Sequence, residues 1–340
     1  MGVVEMNQHI GKQTVQFGLQ PVIISAAAIV GKKEGEGPLS EYFDKVLDDD
    51  KWGEETWDKA ESKILKETAR TAIDKAGLAL SNVDYILAGD LLNQCVGAHY
   101  GLRELNIPFL GLYGACSTMA ESLSVGAIIV SGGCAGKVAC ATSSHFCSAE
   151  KQYRFPLEYG GQRVPTSQWT VTGSGCAVLS AEGNGPKITH ITTGKIVDMG
   201  ISDLNNMGAA MAPAAVDTLT AHFEATCTNP SDYDLILTGD LGVVGSDILI
   251  DLMKREGYDI SGKHNDCGKL IFDIEKQDVH AGGSGCGCCA SVFCGYIYKQ
   301  LQAKQLNKIL VMATGALMNP QMVNSGETIP AIAHAVAITA

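Results

Sequence analysis

Two octapeptides, DYILAGDL (84–91) and DLILTGDL (234–241), decide the fold because they agree at six of eight positions, 150 residues apart. Each is a short apolar run that closes on Gly-Asp, which is typical of a buried strand that ends in a turn. Apolar residues at helical spacing predict a helix before each of them, over 57–76 and over 214–227. The pair therefore indicates a duplicated unit of helix and strand.

The correspondence continues along both halves of the chain. In each half a glycine-rich turn opens a helix pattern, and two apolar strand patterns follow it at matching places. The first half reads GACSTMAESLSVGAII, GKVACATSS and GSGCAVLSAEG, and the second reads GSGCGCCASVFCGYI, NKILVMATGA and IPAIAHAVAITA. Such alternation predicts mixed or parallel sheets that are covered by helices.

We expect an α/β fold of two pseudo-symmetric halves, 12–183 and 184–340, packed as a five-layer α-β-α-β-α sandwich. Two segments stand outside the repeat. Residues 31–56 are predicted to form a charged surface excursion, and residues 150–170, rich in Tyr, Pro, Gly and Arg, a long ordered loop.

Composition excludes several classes of function. The 340 residues carry a net charge of −12, and no Lys/Arg-rich run suits a nucleic-acid partner. With 46% apolar and 18% charged residues, the chain can bury a large core. No uninterrupted apolar stretch is long enough for a membrane span and no signal peptide is recognisable, so a cytoplasmic location is expected.

The twelve cysteines are interpreted as buried free thiols rather than disulfides, because no secretory signal precedes a chain of this length. The densest run contains Cys286, Cys288, Cys289 and Cys294. Its spacing does not form two C-x-x-C pairs, so we expect no metal site there.

Cys116 is the strongest candidate nucleophile in the chain. Thr118 and Glu121 fit the capping-box pattern, which places Cys116 just before the start of a helix. The helix dipole and the free N–H groups at such a position favour a thiolate. A structural role as a small buried cysteine is about equally compatible with the local sequence.

A thiolate nucleophile needs a base, and His280 is the best candidate. It precedes the glycine-rich turn that corresponds, in the second half, to the turn of Cys116, so the two residues are predicted to meet. His145 also follows a strand near that face. The cluster GGSGCG (282–287) could hold a carboxylate or phosphate through backbone N–H groups. A hydrogen-bonded loop histidine is an equal alternative for His280.

Three stretches carry a resemblance to known proteins: GACSTMAESL (114–123), PLEYGGQRVPTSQWTVTGSGCAVLS (156–180) and DVHAGGSGCGCCASVF (278–293). The duplicated halves and the cysteine at a helix start resemble the thiolase superfamily, in particular its 3-ketoacyl-carrier-protein synthases. Taken together, the three stretches look like the stage V sporulation protein AD family of spore-forming bacteria. The resemblance covers nearly the whole chain and implies a thiolase-like fold.

The resemblance also aligns the catalytic groups of the synthases with this chain. Their nucleophile falls at Cys116, their histidine near Gly239 and Asp240, and their asparagine at Cys286, so the histidine and the asparagine are replaced here. Condensation needs such donors, and losing one oxyanion donor typically costs about 10²–10³ in rate. The replacement therefore favours a pocket that is kept for binding over an active enzyme.

The sporulation family implies binding of dipicolinic acid, free or as its calcium chelate, within the sporulation and germination machinery that moves it across the spore inner membrane. It implies no cofactor, other stage V sporulation subunits of the membrane as partners, and a peripheral place at that membrane. The ligand site is expected to consist of Ala115, Cys116, Ser117, His145, Asp240, His280, Ser284, Gly285 and Cys286.

Two alternatives stay open. One is a condensing or acyltransferase enzyme that uses Cys116 with His280 as its base, and the other is a scaffold for membrane subunits that binds no ligand. The superfamily also implies a homodimer, for which the strand GKVACATSS (136–144) is the candidate sheet edge.

Overall fold

The computed structural model describes residues 6–153 and 163–340. Its strands are β1 (Gln8–Ile10), β2 (Thr14–Gln16), β3 (Val22–Val30), β4 (Lys45–Val46), β5 (Tyr85–Gly89), β6 (Phe109–Gly111), β7 (Lys137–Ser144), β8 (Trp169–Thr170), β9 (Gly173–Ser180), β10 (Lys187–Thr192), β11 (Leu235–Thr238), β12 (His264–Asp266), β13 (Gly283–Ser284), β14 (Lys308–Ala316) and β15 (Ala331–Thr339). Its helices are α1 (Lys32–Gly35), α2 (Trp57–Lys75), α3 (Val96–Leu102), α4 (Thr118–Ser131), α5 (Phe146–Tyr153), α6 (Met207–Thr226), α7 (Gly242–Arg255), α8 (Cys267–Leu270), α9 (Cys286–Ser291), α10 (Tyr298–Gln302) and α11 (Pro320–Asn324). Among these helices, none has both the length and the apolarity that crossing a membrane requires.

The main strands form two series of five with the same order. The first series runs β6-β5-β7-β9-β3 and the second β12-β11-β14-β15-β10. The octapeptide strands, β5 and β11, each lie parallel to both of their neighbours. The fourth strands of the two series, β9 and β15, each lie antiparallel to both of their neighbours. The two series join where Lys187 pairs with Val22, and β2 also pairs with β10. The duplication is therefore a property of the fold as well as of the sequence.

Five layers result from the way the helices cover these two series. α2 and α3 pack on one face of the first series, and α6 and α7 pack on one face of the second. α4 and α9 lie between the two, in a core that includes the fully buried side chains of Leu123 and Phe293. This arrangement confirms the α-β-α-β-α sandwich that the sequence predicts.

The helix before each octapeptide forms for reasons that are visible in the sequence. Thr56 caps α2 by accepting a hydrogen bond from Lys59 N. Gly77, just past the end of α2, has a φ of +69°, a conformation that glycine adopts without a steric cost. α6 begins earlier than predicted, because the side chain of Asn206 accepts a hydrogen bond from Ala209 N and caps it.

The edge strand predicted from the sequence is wrong. β7, which contains GKVACATSS, is hydrogen-bonded to β5 on one side and to β9 on the other. Residues 138–144 are buried because α2 contacts β7 on one face and α4 contacts it on the other. An apolar strand that is covered on both faces belongs inside a sheet. The outer strands of the two series are β6 and β12.

The two segments outside the repeat carry more regular structure than expected. Residues 31–56 contain α1, a 3-10 turn and β4, and β4 pairs with β3. The predicted loop 150–170 lies partly outside the described residues. Of its described ends, the first belongs to α5, and the second contains β8, which pairs in parallel with β13. This pairing brings the end of the loop to the glycine-rich turn of the second half.

Candidate functional site

Cys116 lies in the turn between β6 and α4. Residues Ala115–Ser117 form a single 3-10 turn, and α4 begins directly after it at Thr118. Ala115 has a φ of +50°, a strained conformation for a residue with a Cβ, and such strain tends to occur at functional sites. The turn holds Cys116 just before the helix, as the sequence predicts.

The capping box predicted from Thr118 and Glu121 is wrong. Thr118 already has helical backbone angles, and the N-cap position falls to Ser117, without a side-chain hydrogen bond. Thr118 Oγ1 instead donates to Ala115 O over 2.6 Å and accepts from Gly114 N, so it braces the turn from inside. Burial raises the pKa of Glu121, whose Oε2 has no hydrogen-bond partner in the described part of the chain.

Asp240 comes from the second half of the chain and meets Cys116. It is the Gly-Asp aspartate of the second octapeptide, and its side chain is completely buried. Its carboxylate lies beside the Cys116 thiol and accepts hydrogen bonds of 2.9–3.2 Å from Ser284 Oγ, Gly285 N and Thr314 Oγ1. Burial raises the pKa of Asp240 above its usual value, and the donors around the carboxylate offset only part of this rise.

The Cys116 thiol is held in its protonated form. Cys116 is only 7% exposed, and burial raises the pKa of its thiol well above the usual value. The negative charge of the neighbouring Asp240 raises this pKa further, and the opposing contacts of Gly285 N and Ser284 are smaller. Desolvation and the neighbouring carboxylate therefore outweigh the dipole of α4, which by itself would favour a thiolate.

Cys286 completes the floor of the site. It is buried at the first position of α9, and its thiol donates to Ala115 O over 3.2 Å. It belongs to the same small apolar cluster as Cys116. The three positions that the resemblance aligns with catalytic groups of synthases thus lie together, as Cys116, Asp240 and Cys286.

The two halves approach each other closely at this place. A Cβ added to Gly315 of β14 would lie 2.5 Å from Gly114 O and 3.1 Å from Ser117 N. Only glycine, which lacks that atom, lets β14 pack this closely against the turn of Cys116.

Asp266 secures the turn that carries Asp240. Its carboxylate accepts hydrogen bonds from Leu241 N and Gly242 N, each over 2.9 Å, and from Thr238 Oγ1 over 2.6 Å. Burial raises the pKa of Asp266 to about 7 despite these donors. The buried carboxylate of Asp266 therefore holds the backbone of the turn that directly follows Asp240.

A narrow cavity lies beside Cys116. Its volume is about 50 Å³, room for one or two water molecules. Both halves contribute apolar side chains to its wall, among them Leu91, Met207 and Met318. A larger groove of about 490 Å³ between α2 and α3 does not include Cys116.

Gln168 is the functional residue that the sequence analysis missed. It is 2% exposed, and its Nε2 donates to Asp240 O over 2.7 Å and to Gly283 O over 2.8 Å. Gln168 is one of the residues that line the cavity, and its buried Oε1 has no hydrogen-bond partner among the residues that the structure describes. A donor group or a cation on a bound ligand would satisfy this oxygen.

The sequence repeat does indicate two threonines near the site, Thr142 and Thr314. The Ala-Thr pairs at 141–142 and 313–314 occupy corresponding places in the two halves. Thr142 Oγ1 donates to Cys286 O over 3.1 Å, and Thr314 Oγ1 donates to Asp240. Gln168 has no such signal, because its direction depends on the pairing of β8 with β13.

The remaining predicted site residues divide into two groups. In the first group, Ala115 and Ser284 line the cavity with Cys116, and Gly285 N donates a hydrogen bond to Asp240. Ser117 does not line the cavity, because its hydroxyl donates to Gly114 O within the same turn. His280 and His145 form the second group and do not belong to the lining.

His280 Nε2 lies 3.4 Å from Asp278 Oδ1. His145 Nε2 donates to Asp50 O over 2.6 Å, while its Nδ1 accepts from Cys147 N. Burial lowers the pKa of His145, which keeps the ring neutral. In the described part of the chain the partner of the Cys116 thiol is thus a carboxylate, and neither ring contributes to the cavity.

The family model of stage V sporulation protein AD (SpoVAD) matches residues 11–339. Stage V sporulation protein AD of Bacillus subtilis (strain 168) is 48% identical to this chain over 326 residues, which cover 96% of each chain.

Similar solved structures are condensing enzymes. 3-Oxoacyl-[acyl-carrier-protein] synthase III from Aquifex aeolicus VF5 has 13% identity and a TM-score of 0.57, with 94% of this chain and 100% of that chain covered. Cerulenin-bound OleA from Xanthomonas campestris has 12% identity and a TM-score of 0.60, with 98% of each chain covered. At these identities the likeness shows the thiolase-like fold alone. By the family match and the close relative together, the chain belongs to the stage V sporulation protein AD family, a family of sporulation proteins.

Proposed function

We propose that this chain is a dipicolinate-binding component of the machinery that moves dipicolinic acid across the spore inner membrane, and that it is catalytically inactive. The observation that carries the proposal is the position of the buried Asp240 carboxylate beside the Cys116 thiol. It places a protonated thiol and a carboxylate where a condensing enzyme needs a thiolate and donors. Family membership supports the sporulation role, and the ligand is the one that the resemblance implies.

The chemistry of the site argues against condensation. An enolate or a thioester oxyanion is stabilised by hydrogen-bond donors and positive charge. An ionised Asp240 only accepts hydrogen bonds, and its negative charge opposes the charge that develops in such a reaction. Cys286 offers only a weak S–H donor, and that thiol already points to Ala115 O.

The cavity favours a ligand without net negative charge. Asp240 accepts a hydrogen bond from Ser284 of its lining, and the described lining contains no Lys or Arg. Free dipicolinate is a dianion that the Asp240 carboxylate would repel, whereas its calcium chelate is neutral. The Oε1 atom of Gln168 is a suitable oxygen ligand for calcium. The apolar side chains suit the flat pyridine ring.

Binding requires the cavity to widen. Its volume of about 50 Å³ is far below the roughly 300 Å³ at which ligand sites usually begin. Met318 and Met207 in its wall have flexible side chains that repack at small cost. Tyr153, which also lines the cavity, donates a hydrogen bond to Leu91 O and would have to release it or move with that wall.

Calorimetric titration with dipicolinate, with and without calcium, tests the proposal. We expect saturable binding that is tighter for the chelate, and no binding of pyridine-3,5-dicarboxylate, which cannot chelate in the same way. In an Asp240→Asn variant, free dipicolinate should bind more tightly than in the wild type, because a repelling charge is gone. Absence of saturable binding with either form would contradict the proposal.

Mass spectrometry separates this proposal from the enzyme alternative. After incubation with acyl-CoA thioesters, we expect Cys116 to show no mass shift, because its thiol is protonated and shielded. An acylated Cys116 would instead favour the condensing or acyltransferase function.

We propose that the chain reaches the spore inner membrane through other stage V sporulation subunits. Fractionation of sporulating cells tests this, with membrane association expected only when those subunits are present. Association that persists in their absence would contradict it.

A further inference from the structure

Apart from Met6, the three most exposed large apolar side chains of the described residues, Ile196, Met199 and Leu317, lie in two segments. Ile196 and Met199, 76% and 67% exposed, lie between β10 and α6. Leu317, 60% exposed, follows β14, and Met322 lies beyond it in α11. Large apolar groups that share one surface tend to mark an interaction site.

Backbone hydrogen bonds hold these two segments side by side. Val197 and Ala331 exchange two hydrogen bonds of 2.8 Å, and Leu317 N donates to Pro330 O over 2.8 Å. The stretch 330–331 therefore lies between the segments of Val197 and Leu317. Because neighbouring strands are roughly 4.8 Å apart, the two segments are about 10 Å from each other. Thr328 Oγ1 also donates to Asp198, which ties the segments together again. We call the surface formed by 196–206 and 317–330 the rim surface.

The exposed charges within the two segments of the rim surface have one sign, and the adjoining Lys195 is paired with Asp217. Asp198, Asp203 and Glu327 are exposed on it, and neither segment contains a Lys or Arg residue. Anionic lipid headgroups would be repelled by these carboxylates, and a second copy of the chain would bring the same negative charge. Charge complementarity therefore selects a basic partner.

We propose that the rim surface docks a segment of another protein in which Lys or Arg residues are interspersed with apolar residues. Its apolar side chains would cover Ile196, Met199 and Leu317, and its cations would face Asp203 and Glu327. Cytoplasmic loops of membrane proteins carry an excess of Lys and Arg and have this chemistry. The proposal goes beyond dipicolinate binding, which needs no such surface.

The rim surface is continuous with the wall of the cavity. Ala316 and Met318, on either side of Leu317, both line the cavity, and Met207 follows the other segment directly. A partner docked at Leu317 would therefore restrict or support the movement of Met318. Docking is expected to change the affinity for the ligand as well as to hold the partner.

Two labelled peptides provide the test, by fluorescence anisotropy on the full chain at physiological salt. One is a short amphipathic peptide of Lys and Leu, and the other has Glu in place of every Lys. We expect the Lys/Leu peptide to bind, and to bind about tenfold more weakly to an Ile196→Ser/Leu317→Ser variant. Asp203→Asn/Glu327→Gln should weaken it as well, whereas Ile128→Ser, a matched exposed apolar position outside the rim surface, should not.

Three results would overturn the proposal. The first is equal affinity of the Lys/Leu peptide for the wild type and the rim variants, or equal binding of the Glu/Leu peptide. The second is self-association that the rim variants abolish in light scattering, which assigns the surface to a second copy. The third is rim-dependent binding to phosphatidylglycerol vesicles, which assigns it to lipid. Dipicolinate titration of the same variants without peptide reports on the cavity alone, so failure of one proposal is distinguishable from failure of the other.

Discussion

The Cys116 thiol lies beside the buried carboxylate of Asp240, which raises the pKa of the thiol, although the two residues belong to different halves of the chain. Burial and the charge of Asp240 together favour the protonated form of this thiol.

Replacing Asp240 should activate the thiol. Asp240→Asn removes a negative charge that raises the pKa of Cys116, so alkylation of Cys116 by iodoacetamide should become about tenfold faster for each pKa unit that is lost. Peptide mass spectrometry measures this rate, with the exposed thiols of Cys134 and Cys227 as internal references. A wild-type Cys116 that reacts as fast as Cys134 would show that the thiol is not protected.

Gly315 should be intolerant of any side chain. Gly315→Ala places a Cβ 2.5 Å from Gly114 O and forces β14 away from the Cys116 turn, which should lower the free energy of unfolding by about 1–3 kcal/mol. Gly262→Ala is the matched control, because a Cβ there meets no atom within 4 Å. Urea denaturation compares the two variants, and equal stabilities would refute the close contact.

Glu34 should make stability depend on pH. It is 1% exposed, it accepts a hydrogen bond from Thr172 N over 2.9 Å, and burial raises its pKa from 4.5 to about 7. Because the folded pKa lies above the unfolded one, this contribution is complete below pH 4.5 and is lost as the pH rises through about 7.

Glu34→Gln should therefore flatten the decline of stability between pH 5 and 8, by up to about 3 kcal/mol. Thermal or urea unfolding across this range measures the effect. The exposed neighbour Glu36 provides the control as Glu36→Gln, which should keep the wild-type pH dependence. Parallel curves for wild type and Glu34→Gln would contradict the burial of an ionisable group.

The homodimer expected from the superfamily should use β6. β6 is an outer strand of its series, and Leu110 and Tyr113, in and beside it, are 43% and 53% exposed. Leu110→Lys should convert the dimer to a monomer in analytical ultracentrifugation, because the charge would have to be buried between two copies. Ile128→Lys, at a comparable exposure in α4, should leave the dimer intact. A dimer that survives Leu110→Lys would exclude this edge.

Much of the fold is predictable because its signals are local and repeated. The apolar run of each octapeptide, the helix before it and the glycine at a helix end each reflect chemistry within a few residues. The edge strand was not predictable in the same way. Whether β7 lies inside or outside the sheet depends on which helices cover it, and α2 and α4 come from other parts of the chain.

The roles of the two Gly-Asp aspartates, Asp90 and Asp240, cannot be predicted from the residues next to them in the sequence. Asp90 accepts hydrogen bonds from Leu92 N and Ala98 N and shapes its own turn. Asp240, its counterpart in the repeat, contacts Cys116 instead. Identical residues in a duplicated sequence thus have different roles, since their neighbours come from different elements.

The sequence by itself determined that the chain is duplicated, that its halves are α/β and that Cys116 lies at a helix start, because periodicity and turn residues act over short distances. Only the tertiary structure decided the state of Cys116. The pKa of a thiol depends on burial and on charges within a few ångströms, and the charge that matters here belongs to Asp240 in the other half of the chain.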